Sequence, residues 1–474
     1  MYRPNPLDRL LVDLLPAHSL YAVGGRVRDE VRSRLEGREI PVKDLDYVAV
    51  GVSLEELVAR LAVRGRTDVV GASFAVVKWT SAGTTVDVAL PRRERSTGLG
   101  HRDFAVETGP DVSLEDDLAR RDFRMNMLAR AIPDGTLVDP YGGVADIRAR
   151  RVGLLRNAAF VEDPLRMLRA AQFAARFDYE IASGTMAAMR EAASLVATVS
   201  PERIRDELLK LLLAARPSRG FEYLRDSGVL AFVLPEVAAG IAVEQNEWHA
   251  YDVYRHNLET LDATPPGDVT LRLAALLHDV AKPQTKDGPH FYRHEIVGEG
   301  VVRALLDRLR FPAEEVATVA GLVRHHMYVA DPEASSATLR RFVRRVGPEQ
   351  LDRLFALRAA DIAGSGLPKR DDANERFEAR VAAVLAERPP FAVRDLAVGG
   401  ADVLAALVAA RRLPAGSRGG PRVGQILRAL LDQVLEDPAA NQREELLARI
   451  RTLATEAPPH SDSPRERSTR NFSR

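Results

Sequence analysis

Apolar positions divide the chain into two regimes. Between about residues 19 and 150, short runs rich in Val and Tyr (LYAVGG, DLDYVAVG, ASFAVVKW, TTVDVAL) alternate with helically spaced stretches such as SLEELVARLAV. Apolar runs of four to eight residues read as strands and a 3.6-residue recurrence as amphipathic helix, so this region predicts a mixed α/β unit. From about residue 157 the apolar residues recur at helical spacing, as in PLRMLRAAQFAARF and PERIRDELLKLLLAARP, and strand signals nearly vanish. The predicted class is α+β: a mixed-sheet head over 1–150, then a helical neck and body over 151–245, a histidine-rich helical unit over 246–370 and a helical region over 371–456. Residues 457–474, APPHSDSPRERSTRNFSR, are too polar and Pro-rich to bury a core and are expected to be disordered.

Composition narrows this reading in three ways. At 474 residues, with 46% hydrophobic and 28% charged positions, the chain is long enough for several globular units. The 67 basic and 67 acidic residues cancel, so nucleic-acid binding would have to come from a local patch of Lys and Arg. Cysteine is absent, which excludes disulfides, zinc-thiolate sites and thiol nucleophiles and leaves any metal to His, Asp and Glu. No run approaches the roughly 18 to 20 apolar residues of a membrane span, and the opening MYRPNPLDRLLVDLLPAHSL lacks the order of a signal peptide, so a cytoplasmic location is expected.

Two acidic residues provide the first candidate chemistry. Gly24 and Gly25 follow an apolar strand and precede a predicted helix, where backbone N–H groups can receive a phosphate, and Arg28 sits one turn into that helix. About twenty residues on, KDLDYVAV reads as a strand with Asp44 and Asp46 on one face. Paired carboxylates repel unless a cation lies between them. A pair of Mg2+ ions would serve, activating a terminal 3′-hydroxyl and neutralising a triphosphate.

GGRVRD followed by DLD resembles the head of the DNA polymerase β nucleotidyltransferase superfamily, in the branch of class II CCA-adding enzymes and bacterial poly(A) polymerases. The resemblance implies that Asp44 and Asp46 hold the catalytic metals, that Gly25 and Arg28 contact the incoming triphosphate, and that Asp87 in TTVDVAL is where the superfamily's third carboxylate would lie. A second string, DVSLEDDLARRDFRMNMLAR, resembles the family's Arg-Arg-Asp motif with its following Asn, which implies sugar and phosphate contacts from Arg121, Asp122 and Asn126. Without the resemblance, the same string would be a helix laced by ion pairs.

FVEDPLRMLRAAQFAARF carries the choice of base. Pro164 suits a first helical turn and Asp163 the cap before it, while Arg166 and Arg169, three apart, share a helix face. Cytosine and adenine each present an amino donor beside a ring-nitrogen acceptor, and uracil and guanine reverse that order. An ionised Asp only accepts and an Arg only donates, so Asp163 and Arg166 together would admit C and A and reject U and G. The segment matches the family's Glu-Asp-x-x-Arg motif. Class II members often have a further Arg where this chain has Gln172, and the loop PRRERSTGLGHRDF, residues 91–104, resembles the one that lets CCA-adding members change from CTP to ATP.

Seven of the ten histidines fall between His249 and His326. His256, His278, Asp279, His294, His325 and Asp361, with His278 and Asp279 adjacent at the end of an apolar helix, resemble the ligand order of an HD phosphohydrolase domain over about 250–365. The resemblance implies one or two divalent ions there, suited to metal-assisted phosphoester hydrolysis; in some bacterial CCA-adding enzymes such a domain is a phosphatase or cyclic phosphodiesterase. The expected function is addition of C, C and A from CTP and ATP to the 3′ end of tRNA. A poly(A) polymerase or CC-adding enzyme of the same family, or an RNA-binding platform serving an HD hydrolase, are the alternatives.

Overall fold

The computed structural model describes residues 5–41, 45–70, 75–96, 104–368 and 371–456. They fall into two compact units, one formed by 1–326 with 356–368 and the other by 327–355 with 369–474.

The first unit opens on a seven-stranded mixed sheet. Its strands are β1 (Leu20–Val23), β2 (Asp46–Ala49), β3 (Arg66–Val70), β4 (Val76–Ser81), β5 (Thr84–Ala89), β8 (Ala129–Ala131) and β9 (Leu137–Val138), in the order β3-β4-β5-β2-β1-β8-β9. Only β2 and β5 pair in parallel, and their register sets Asp46 beside Asp87. Val23, Val48 and Ala129 pack with Leu114, Leu118 and Met127 on one face. In the helix Pro6–Leu14 that precedes the sheet, Asp8 is sealed from solvent, with Arg26 donating to it at 2.7 Å and the Tyr47 hydroxyl at 2.6 Å. The strands β6 (Arg92–Ser96) and β7 (Phe104–Thr108) pair antiparallel, so the described part of the nucleotide-switching loop expected over 91–104 is mostly strand; its residues 97–103 lie outside the described residues.

The rest of this unit is helical apart from two short pairings, Arg151–Val152 with Glu180–Ile181 and Lys286–Asp287 with His290–Phe291. In the helix Arg166–Phe177 the small residues Ala170, Ala171, Ala174 and Ala175 are buried, which lets neighbouring helices approach. Gly220 marks one such approach: a Cβ there would stand 3.1 Å from the Ala171 carbonyl oxygen, and 2.3 Å from Leu211 Cδ1 of the helix Pro201–Leu212. The helices Val253–Ala263, Val269–Leu277, His294–Arg308, Ala313–His325 and the end of Leu351–Gly364 carry the histidine-rich segments.

The second unit has its own core, in which Val403 and Leu407 of helix Gly400–Ala409 pack with Leu430, Leu431, Val434 and Leu435 of Pro421–Glu436 and with Leu446 and Ile450 of Arg443–Thr455. Residues 457–474, expected to be disordered, lie outside the described residues. No described helix is long and apolar enough to cross a membrane.

Candidate functional sites

The turn from β1 into the helix Gly25–Glu36 is built on Gly24, whose φ of 70° and ψ of −138° no residue with a Cβ adopts readily. A Cβ there would also lie 3.3 Å from Arg121 Nη1 and 3.6 Å from Asp46 Oδ2. Gly24 thus brings the helix start, with its first-turn N–H groups, close to the carboxylate of Asp46. Asp46 and Asp87, side by side on parallel strands, present the adjacent carboxylates that a divalent cation would relieve. Asp44 lies outside the described residues.

A cleft of about 340 Å3 opens against Asp46. Its walls include Gly25, Arg28, Arg121, Asp122, Asn126, Asp163, Arg166 and Arg169, which are the eight residues read from the sequence as nucleotide contacts. Five arginines face three carboxylates around it, a balance that suits a polyphosphate.

The three motifs are wired together. Asp122 is buried and accepts from Arg169 Nε at 2.9 Å and Nη2 at 2.6 Å, from Asn126 Nδ2 at 2.7 Å and from the Phe123 N–H at 2.8 Å. Asn126 in turn accepts from Arg28 Nη1 at 2.8 Å. Burial alone would raise the Asp122 carboxyl; the Arg169 charge and the hydrogen bonds outweigh it and hold it below the ordinary carboxylate value. Arg28 is also gripped by Asp29 and lies over the Phe177 ring. Asp117, which the sequence reading did not single out from its helix of ion pairs, is fully buried beneath Arg120 and Arg121, at 2.7 and 2.9 Å. Burial raises its carboxyl too, and those two arginines bring it below its usual value.

Asp163 and Arg166 are held separately. Asp163 lies between the helices Ala159–Glu162 and Arg166–Phe177, accepts from the Leu165 N–H at 3.3 Å, and is ion-paired to Arg203 at 2.9 Å. Arg166 donates to the Arg120 carbonyl at 2.7 Å and lies 3.5 Å from Glu162. Gln172 is buried on the wall of an adjoining cleft of about 470 Å3, where Arg176, one turn further along the helix, and Lys210 also lie.

The second cluster is buried among the later helices. The Nδ1 atoms of His256, His278, His294 and His326 lie 3.1, 2.8, 2.8 and 2.7 Å from the carbonyls of Gly364, Ala275, Phe291 and Val323. A carbonyl only accepts, so each Nδ1 is the donor and each Nε2 is the atom left to meet a proton or a metal ion. Those Nε2 atoms converge, His256 with His278 at 3.0 Å and His294 with His326 at 3.3 Å. Two imidazole nitrogens at such range need a proton or a metal ion between them, and backbone carbonyls behind histidines are the usual support of metal ligands. Asp279 divides its carboxylate, Oδ2 lying 3.3 Å from His278 and Oδ1 3.2 Å from His294, and Asp361 Oδ1 is 3.1 Å from His256. Burial lowers His278, yet Asp279 and Asp361 overcome it and push it up to about 10. The residues fit a divalent ion, and three overlapping sets meet that need: His256, His278 and Asp361; Asp279, His294 and His326; and His249, His256 and Asp279.

One ligand expected from the sequence is corrected. The cluster holds His326 where the sequence reading named His325: His326 continues the helical dihedrals at φ −60° and ψ −29°, and successive helical residues point about 100° apart, so the helix phase turns the later imidazole toward Asp279 and His294. His249 is an addition, and burial followed by the Lys282 charge pushes it down to about 3, leaving it a neutral imidazole.

Three family models match in order along the chain: the "Poly A polymerase head domain" over 20–153, the "Probable RNA and SrmB- binding site of polymerase A" over 178–241 and the "HD domain" over 249–363. The Multifunctional CCA protein of Nitrosococcus oceani is 39% identical over 393 residues, covering 78% of this chain and 92% of that one. That of Paracidovorax citrulli is 38% identical over 442 residues, covering 89% and 98%. The chain belongs to the CCA-adding family of nucleotidyltransferases. Its fold agrees: the Bacillus stearothermophilus CCA-adding enzyme, solved with CTP, superimposes with a TM-score of 0.64 at 24% identity, covering 94% of this chain and 97% of that one. The Thermotoga maritima enzyme, solved with tRNA, gives 0.54 at 19%, covering 94% and 96%.

Within this family member, sequence reasoning missed Asp117 and Arg203, which stand behind the cleft and ion-pair to the wall residues Arg120, Arg121 and Asp163. Asp117 was signalled by its place three and four residues before a pair of arginines. Arg203 carried no signal, since nothing local in PERIRDELLK points toward Asp163.

Proposed function

We propose that this chain adds C, C and A in turn from CTP and ATP to the 3′ end of tRNA, and that it does so in the cytoplasm. The observation that supports the reading is the cleft itself, which opens against Asp46, the strand neighbour of Asp87, and carries Asp163 and Arg166 on its walls, an acceptor and a donor suited to telling C and A from U and G. The relatives' names support the same activity.

Each residue has a part. The helix start behind Gly24, with Arg121 and Arg169, receives the triphosphate. Asp122 and Asn126 hold Arg169 and Arg28 at fixed positions and meet the ribose. Asp163 accepts from the amino group of C or A while Arg166 donates to the ring nitrogen. Mg2+ held by Asp46 with Asp44 and Asp87 would supply charge neutralisation and activation of the 3′-hydroxyl. The head would occupy 1–150, a helical neck that holds RNA by phosphate and shape 151–245, and the HD unit 246–370. In that unit His256, His278, Asp279 and Asp361 would hold one divalent ion and Asp279, His294 and His326 a second, suited to phosphoester hydrolysis.

Incubation of tRNA lacking its 3′ end with Mg2+ and each labelled nucleotide in turn tests the main reading. Ordered addition of C, C and A that then stops is expected. Long A tails would point to a poly(A) polymerase, arrest after CC to a CC-adding enzyme, and no addition to a binding platform. Full addition by Asp46→Ala would overturn the metal assignment.

A further inference from the structure

A carboxylate offers about four acceptor directions and turns about its Cβ–Cγ bond, so on a chain break between two helices it is a poor reader unless something fixes it. Arg203, in the first turn of the helix Pro201–Leu212 and outside every motif found in the sequence, fixes Asp163. Its Nη2 stands 3.1 Å from Oδ1 and 2.9 Å from Oδ2, reaching across 40 residues of chain. The Leu165 N–H adds a bond to Oδ1 at 3.3 Å. Oδ1 therefore has two donors and Oδ2 one, so the remaining acceptor direction lies on Oδ2. Arg166 is anchored in the same way by the Arg120 carbonyl, 2.7 Å from its Nη2.

We infer that Arg203 is a specificity-determining positioning residue: it holds Asp163 so that one carboxylate oxygen, in one orientation, meets the edge of the incoming base. The inference rests on the base-reading role proposed for Asp163 and Arg166. An amino group of cytosine or adenine donates to that oxygen. A carbonyl of uracil or guanine meets it oxygen to oxygen, and a carboxylate held by Arg203 cannot turn aside to relieve the clash. With Arg203 removed, Asp163 rotates away or admits a bridging water, and the penalty against the wrong base falls. Arg203 is no part of the core, since its side chain is 42% exposed.

The test uses the full chain and tRNA lacking its 3′ end, and compares kcat/KM for CTP with that for UTP in the wild type, Asp163→Ala, Arg203→Ala, Arg203→Gln and Arg203→Lys. Arg203→Ala is expected to lower the CTP-over-UTP preference by about 10- to 100-fold, with Asp163→Ala lowering it at least as far. Arg203→Lys, which keeps a cationic donor, should recover part of it. A purely structural role would slow both nucleotides alike and leave their ratio unchanged. If Asp163→Ala flattens the preference while the Arg203 variants keep that of the wild type, the role of Arg203 is overturned and the base-reading pair survives. If Asp163→Ala itself keeps the preference, the base-reading assignment fails and Arg203 falls with it. Arg203→Gln, whose shorter neutral amide stays polar but does not reach Asp163, should lower the preference as Arg203→Ala does and decides the matter should the alanine variant fold poorly, an unchanged preference overturning the role of Arg203.

Discussion

Asp122→Asn tests the wiring of the cleft with almost no change of shape. In the native protein Asp122 Oδ2 takes two hydrogen bonds from Arg169, at 2.9 and 2.6 Å, while Oδ1 takes those of Asn126 and Phe123. An amide can satisfy only one of those sides, and whichever way it turns, its NH2 faces two donors. Hydrogen bonds to a charged partner contribute about 1.5–3 kcal/mol each, so losing two sets an upper bound of about 3–6 kcal/mol. Arg169 keeps 35% of its side-chain surface in water and Glu207 at 3.8 Å, and both soften the loss. The expected net cost is about 2–3 kcal/mol, read as a lower urea midpoint with unchanged slope for the transition that includes the head. Because Asn126 relays the change to Arg28, kcat/KM should fall by about 10- to 100-fold for CTP and ATP alike, and the choice between CTP and UTP should stay intact. Wild-type stability together with wild-type kcat/KM would refute the wiring. A changed base preference at unchanged kcat/KM for CTP would show that Asp122 acts on the base instead.

Two further outcomes are expected. His326→Ala should weaken divalent-metal binding by about 10- to 100-fold, measured by metal content after dialysis against graded chelator, whereas His325→Ala should stay near wild type; the reverse order would restore the ligand expected from the sequence. Asp8→Asn breaks a buried ion pair with Arg26 and should cost about 3–5 kcal/mol in urea unfolding near neutral pH. Burial raises the Asp8 carboxyl, but Arg26 and Tyr47 bring it below its ordinary 3.8, so this contribution is present above about pH 4 and is lost as pH falls through the lower folded value. The gap between the wild type and Asp8→Asn should therefore close on acidification below pH 4, and a gap independent of pH would contradict the charge-based account.

Much of this molecule is legible in the sequence because the information is local. A strand followed by Gly-Gly and a helix describes the turn at Gly24, alternation in DLDYVAV places Asp46 at the start of β2, and helical spacing marks Arg166–Phe177 and Pro201–Leu212. The motifs name most of the cleft because each is short and keeps its shape within one or two elements. What joins the motifs was decided only by packing. The parallel register that sets Asp87 beside Asp46 crosses 41 residues of chain, and the Asp163–Arg203 pair crosses 40. His325 and His326 are equivalent in composition and pattern, yet successive residues of a helix point about 100° apart, so the rotational phase in which Ala313–His325 packs selects which imidazole enters the cluster. Local sequence fixes which side chains are on offer, whereas their partners depend on how distant elements meet, and no short-range periodicity encodes that.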